Sequence, residues 1–336
     1  MNNKDFRGEV WNNIDRYVLE QLVKVNTEAV DGKVGQDRYT ARATAYLQSF
    51  FEEEIAVLYT INGTAANVVA LKALLDRHGS VICADQAHIN THECGAVEYN
   101  LGTKLLCAPT KDAKLTPTII DRMLEERKGQ SYFPEVIAVT QPTELGTLYT
   151  NEELKTLADY AHERGMKLFV DGARLGSALA TLGCTLGEWA KATDVDVFTV
   201  GGTKSGAMFG EAVVFVNKED LARGAYILKQ SLQHFDKSKF LGVQMSALFE
   251  GDRWIKNFAH ANAMATLLER ELAARGIEIY LPVESNMVFC VLEQEQMEQL
   301  EKAFDVKYWY EDKKVVRLCT TFATKEETVM ELVSLL

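Results

Sequence analysis

The chain has 336 residues, 47% of them hydrophobic, and a formal net charge of −12. At about 100–200 residues per domain, that length accommodates one large unit and a smaller one. The acidic balance argues against nucleic acid or an anionic membrane surface as a partner, and no apolar run reaches the roughly 18 residues that would suggest a membrane span. The six cysteines are scattered without a CxxC pair, and the opening MNNKDFRGEVWNN lacks the apolar stretch of a signal peptide. Both features predict a cytoplasmic protein with reduced thiols.

The first 45 residues fit no strand–helix repeat and are expected to form an arm or part of a smaller domain. Residues 46–245 alternate strand-like and helical stretches. SVICAD, EVIAVTQ, KLFVD, DVFTVGG and EAVVFV are short, nearly continuous apolar runs that read as buried parallel strands. Pro117 opens a helix in TPTIIDRMLEERKG. Thr150 and Glu153 form a capping box for a helix that Gly165 ends, and Thr185 with Glu188 forms a second. The pattern predicts an α/β fold, an open, mostly parallel sheet flanked by helices. From residue 246 to 336 it changes to a long helix (WIKNFAHANAMATLLERELAARG), strand-like IEIYLPV, NMVFCVL and KVVRLCT, and a last helix from Lys325. That is a small α+β domain.

Two segments carry the chemistry. FVDGARLGSAL ends an apolar run at Asp171, and FTVGGTKSGAMFGEAVVF places Lys204 on a glycine-rich turn after another run. A desolvated lysine favours the neutral amine that attacks a carbonyl. A pyridoxal phosphate (PLP) enzyme needs such a lysine and a carboxylate to hold the proton on the pyridine nitrogen. Asp171 also reads as a helix N-cap, a geometry compatible with that role. The helix start NGTAANVVALKALL offers Gly63 and Thr64 as a phosphate cradle, although any Gly-Thr cap looks the same. In DQAHINTHECGAVE, His88, His92 and Glu93 could be read as metal ligands, but the HExxH order and a third ligand at a usual spacing are missing, so no metal is expected. On the PLP reading His88 stacks on the ring and is a candidate acid or base. Arg317 lies in an apolar strand and needs an anion, either a structural carboxylate or a substrate's α-carboxylate held bidentately. GTKSG lacks the spacing of a P-loop.

Taken in order, INGTAAN, AHINTHECGA, TQPTELGTLYT, FVDGARLGSAL, GGTKSGAMFGEA and VRLCTTFAT resemble the threonine aldolase / β-eliminating lyase group of PLP enzymes, from about residue 34 to the end. The resemblance implies the aspartate-aminotransferase-like type I fold. It implies PLP bound to Lys204 as a Schiff base, Asp171 on the pyridine nitrogen, His88 over the ring, Gly63 and Thr64 at the phosphate, Thr203 and Arg174 among the other cofactor-binding residues, and Glu144 among those that touch the substrate. Arg174 and Arg317 would hold the substrate carboxylate. Lys229 and Lys237 match basic positions that reach the phosphate of a neighbouring subunit, which implies a homodimer or homotetramer. The implied reaction cleaves the Cα–Cβ bond of a β-hydroxy amino acid such as L-threonine or L-allo-threonine, giving glycine and an aldehyde, with His88, His92 or Glu144 as the base. Three other readings stay open: β-elimination or another PLP reaction, a phenylserine-type substrate, and a PLP-binding protein without turnover. The chain departs from the group's pattern at Gly8 and Glu9, where a serine and an aspartate are expected, and at His92, where related chains carry an aspartate.

Overall fold

Apolar runs of five to seven residues form the strands of the larger sheet. In the computed structural model, which describes residues 4–29, 35–221 and 223–336, they are β1 (Ala56–Thr60), β2 (Ser80–Ala84), β3 (Lys104–Ala108), β4 (Pro134–Thr140), β5 (Lys167–Asp171), β6 (Val197–Gly201) and β7 (Glu211–Phe215). The order is β1-β7-β6-β5-β4-β2-β3. Pairs β2–β3, β2–β4, β4–β5 and β5–β6 are parallel. The exception is β7, predicted to be parallel but antiparallel to both β6 and β1. Its link from β6, residues 202–210, is shorter than the dozen or so residues that a parallel crossover needs. The aliphatic strand predictions otherwise hold to within two residues. β1 and β3 went unread because acidic residues precede one and a lysine opens the other.

The helices begin where their caps place them. Thr116 accepts the Ile119 amide ahead of Pro117–Glu126, and Thr150/Glu153 and Thr185/Glu188 both close reciprocal capping boxes. The last helix runs Glu326–Ser334, and the long one Arg253–Ala274. A second, antiparallel sheet has the order β8 (Met287–Val291), β10 (Val315–Cys319), β9 (Tyr308–Tyr310). It packs on those two helices through Leu268, Val288, Leu318 and Leu332. IEIYLPV forms only a single bridge, Ile279 to Cys290, because Pro282 lacks the N–H that a ladder needs.

The start of the chain joins both bodies. Phe6 is buried in the smaller core, its amide donates to the Asp305 carbonyl, and its carbonyl accepts the Cys319 amide. Asp15 caps the helix Arg16–Asn26, and its own amide donates to Gly206 beside the Lys204 turn. The expected arm of residues 1–45 thus crosses from one sheet to the other, although residues 1–3 and 30–34, including Val34 where the resemblance begins, lie outside the described residues. Both expected boundaries, 45/46 and 245/246, fall inside helices (Arg38–Gln48 and Ser238–Phe249). We propose the second division instead at the kink at Gly251 that separates Ser238–Phe249 from Arg253–Ala274. Among the described residues no helix is long and apolar enough to cross a membrane.

Candidate active site

One edge of the large sheet carries the carboxyl ends of β1, β2, β4, β5 and β6 and, because β7 is reversed, Glu211 at its start. The residues singled out from the sequence follow these ends within four positions: Gly63 after β1, His88 after β2, Glu144 after β4, Asp171 at the end of β5 and Lys204 after β6. Together they line one cavity with Asn67, Glu93 and Arg174. Ligands of open α/β sheets bind at this edge.

The spacing of Asp171 and Lys204 depends on two glycines. Gly172 donates to Thr199 Oγ1 (2.7 Å), and Gly201 donates to the Gly172 carbonyl (3.2 Å). A Cβ on Gly172 would lie 1.9 Å from the Thr199 carbonyl oxygen, and one on Gly201 2.1 Å from that of Ala173. No side chain fits between the two strand ends.

A buried network ties Asp171 to His88. The Asn67 amide donates to Asp171 Oδ2 (2.8 Å) and Glu93 Oε1 (2.7 Å), and the same Glu93 oxygen lies 2.8 Å from His88 Nδ1. Asp171 Oδ1 accepts the Ala173 amide (3.0 Å), a local turn rather than the N-cap of the following helix, which begins at Leu175. A carboxylate at this distance accepts, so His88 presents an Nδ1–H to Glu93 and the ring is held in orientation. His88, His92 and Trp309 stack in a column, with ring centroids 5.4 Å apart at each step. The Arg317 guanidinium also lies over the Trp309 ring (4.2 Å). His92 Nδ1 lies 2.6 Å from Thr91 Oγ1.

Burial and then the nearby Arg174 charge press the Lys204 ammonium toward its neutral form, against Glu9, Asp171 and Glu211. Burial also raises the carboxyl of Glu144, although Thr140 (2.7 Å) and the His88 amide (2.6 Å) donate to its Oε1. His92 is lowered by partial burial and by the positive groups around it. Burial pushes Glu211 up to about 7.

The arm forms one wall of a second cavity, of about 200 Å³, that opens onto Lys204. Arg7, Gly8, Glu9, Val10 and Trp11 line it opposite His88, His92, Glu144, Arg174 and Arg317. Glu9 is buried and pairs in a fork with Arg174 (2.5 and 2.8 Å), and Asn286 donates to the same carboxylate (2.7 Å). Burial would raise this carboxyl, but the Arg174 charge and hydrogen bonds overcome it and hold it far below the ordinary range. Arg317 donates to the Arg7 carbonyl (2.7 Å).

Comparison with known proteins gives this geometry a family. The family model described as "Beta-eliminating lyase" matches residues 18–295. The chain belongs to the β-eliminating lyase family. Within that family it is 38% identical, over 89% of this chain and 87% of the other, to the low specificity L-threonine aldolase of Pseudomonas sp. (strain NCIMB 10558). The structure of Leishmania major threonine aldolase superposes with a TM-score of 0.91 at 32% identity, covering 98% and 97% of the two chains. A Thermus thermophilus aspartate aminotransferase, at 16% identity and a TM-score of 0.69 over 99% and 91%, shares the fold. As a member of the threonine aldolase group the protein is a lyase, and both family and fold are those of PLP-dependent enzymes. The type I fold read from the sequence is the fold observed.

Of the expected site residues, the structure brings Gly63, His88, Glu144, Asp171, Arg174 and Lys204 to the inner cavity, and His92 and Arg317 to the outer one. Thr203 lines an adjoining hollow with Glu9 and Met208. Thr64 follows Gly63 on the first turn of the helix Gly63–Leu74. Lys229 and Lys237 are exposed, on and just before helices Gly224–Gln230 and Ser238–Phe249, and line neither cavity. Asn67, the Glu93–His88 contact, Glu9 against Arg174, and Trp309 were not read from the sequence. Asn67 alone left a trace, an amide in the buried run Ala66–Leu71 of an otherwise apolar helix.

Proposed function

We propose that the protein is a PLP-dependent aldolase that cleaves the Cα–Cβ bond of a β-hydroxy-α-amino acid, L-threonine or L-allo-threonine, to glycine and an aldehyde. The observation that supports it most is the convergence of Lys204, Asp171 and His88 on one cavity, with a guanidinium at its mouth. The residues present suit the cofactor. The Gly63 and Thr64 amides have no intrahelical partner at the helix start, and a Cβ added to Gly63 would meet nothing within 4 Å, so an anion has room there. Lys204 would be the covalent attachment point, Asp171 would pair with the ring nitrogen and His88 would cover the ring face. When bound, PLP supplies an electron sink for the pair released as Cα–Cβ breaks.

The protein's own groups then bind, orient and move one proton. Arg317 anchors the carboxylate end. His92 and Glu144 face the outer cavity and stand ready to take the β-hydroxyl proton as the C–O bond becomes a carbonyl. Partial burial and nearby cations keep the His92 imidazole neutral near pH 7, and burial makes Glu144 a better base than a surface carboxylate. The arm and the Trp309–His92 column limit the access of water. On this reading the protein acts in the cytoplasm as a homo-oligomer, with Lys229 and Lys237 of one copy serving a neighbour's phosphate.

A further cavity of about 280 Å³, lined by His92, Leu145, Lys307 and Trp309 among others, continues from the mouth. That space far exceeds a methyl group and favours a second reading, in which an aryl β-substituent such as that of phenylserine is also accepted. The deciding experiment incubates the PLP-loaded protein with each amino acid and measures glycine and aldehyde, with Lys204→Ala as control. A 2-oxo acid that has lost the β-hydroxyl, with free ammonia (2-oxobutyrate from threonine), a β-hydroxy-2-oxo acid without ammonia, or no product at all would overturn the aldolase reading in favour of elimination, transamination or binding without turnover.

A further inference from the structure

The family pattern assigns both Arg174 and Arg317 to the substrate carboxylate. In this chain the two are not equivalent. Arg174 already holds an anion: Glu9 takes its Nε and Nη2 in a fork, and Asn286 supports the same carboxylate from the other side. For a substrate carboxylate to replace Glu9, that side chain, 2% exposed, would have to remain buried without its cation, or the arm would have to leave. An uncompensated buried charge is far costlier than an exchanged surface pair. Arg317 is the opposite case. Its Nη2 donates to the Arg7 carbonyl, while its Nε is buried without a partner. Its guanidinium stacks on Trp309 and lines the outer cavity. Position 8 is glycine, and a Cβ there would reach 3.6 Å from Arg317 Nη2. The arm therefore places no side chain on the open guanidinium.

We propose that Glu9 saturates Arg174, so that Arg317 alone reads the substrate's α-carboxylate, while the Glu9–Arg174 fork is a latch that holds residues 7–11 over the site. Of these two arginines, Arg174 is paired with a carboxylate and Arg317, among the described residues, is not. Arg174 is thus a positioning residue. The inference rests on the amino-acid-binding reading of the site, but its test reads binding and arm mobility rather than turnover.

The test measures glycine and glycinamide binding to the PLP-loaded protein by the cofactor's absorbance change, together with tryptic cleavage within residues 7–16. The wild type should prefer glycine. Arg317→Lys should lose that preference by roughly tenfold to a hundredfold, the range of a hydrogen bond to a charged group, with arm cleavage unchanged. Glu9→Gln should keep or strengthen the preference, because it frees Arg174, and should speed arm cleavage; Glu9→Asp should restore protection at least in part. The proposal is overturned if Arg317→Lys keeps the preference, if Glu9→Gln loses it with the arm still protected, or if the wild type does not discriminate. Should the anchors behave as stated while no β-hydroxy amino acid is cleaved, the reaction is misassigned and the anchors are not.

Discussion

Replacing Asn67 tests whether the network beneath the cofactor ring is a working part of the site. Its Nδ2 bridges Asp171 and Glu93, at 2.8 and 2.7 Å, and the residue is 1% exposed. In Asn67→Leu both carboxylates lose a buried donor, although Asp171 keeps the Ala173 amide and Glu93 keeps His88. A hydrogen bond to a charged group contributes about 1.5–3 kcal/mol. Two such bonds, discounted because each acceptor retains another partner, give a loss of about 3 kcal/mol. For 336 residues, at about 2.1 cal/mol/K per residue, that lowers Tm by about 4 °C. Asp171 is also freed to shift from the ring nitrogen, so PLP affinity should fall at least tenfold. Asn67→Asp keeps the size and replaces the donor with a third carboxylate, and it should be worse than Leu on both measures. A purely steric account predicts the reverse order, since Asp is the closer fit. Thermal unfolding with and without PLP, plus an absorbance titration of the cofactor, decides. Equal Tm and affinity in Asn67→Leu, or a milder effect of Asp than of Leu, would refute the network.

Four further outcomes follow from the geometry. Gly201→Ala, whose new methyl would lie 2.1 Å from the Ala173 carbonyl oxygen, should separate the ends of β5 and β6 and yield an unstable protein or one that binds no PLP, as read by solubility and cofactor absorbance. The Glu9 carboxyl is depressed by folding, so its contribution is complete above the ordinary carboxylate pKa, about 4.3, and is lost as pH falls below it; cleavage of the arm by an acid protease should rise steeply there, and less so in Glu9→Gln. If His92 or Glu144 takes the hydroxyl proton, kcat/KM rises with pH through an apparent pKa that lies above the ordinary carboxylate range for Glu144, which burial raises, or below the ordinary imidazole value for His92, which burial and nearby positive groups lower; loss of this acid limb in His92→Asn but not Glu144→Gln would name the base, and the converse would name the other. Trp309→Ala removes a wall shared by both outer cavities and should raise KM for phenylserine more than for threonine, with equal effects arguing against the aryl pocket.

What the sequence disclosed and what it hid divide along range. Strands β2, β4, β5 and β6 were legible because burial on both faces makes each one an apolar run, and capped helices announce themselves within four residues. Lys204, Asp171 and His88 were legible for a related reason: each closes or follows such a run, so its place at the sheet edge is a local property, whereas Gly63 was legible from the helix start it opens. The direction of β7 could have been read from the nine-residue link before it, but apolar character alone does not distinguish parallel from antiparallel. Glu9 against Arg174 spans 165 positions, and neither residue carries a local mark of the other. The departure at positions 8 and 9 was visible only as a missing serine and a lengthened acid. Its consequence needed the fold. The extra methylene lies on the same side chain that reaches Arg174, and the absent serine side chain lies beside Arg317, so the two substitutions act on the two arginines separately. That division is why one guanidinium can be spent on holding the arm while the other stays open to an incoming carboxylate.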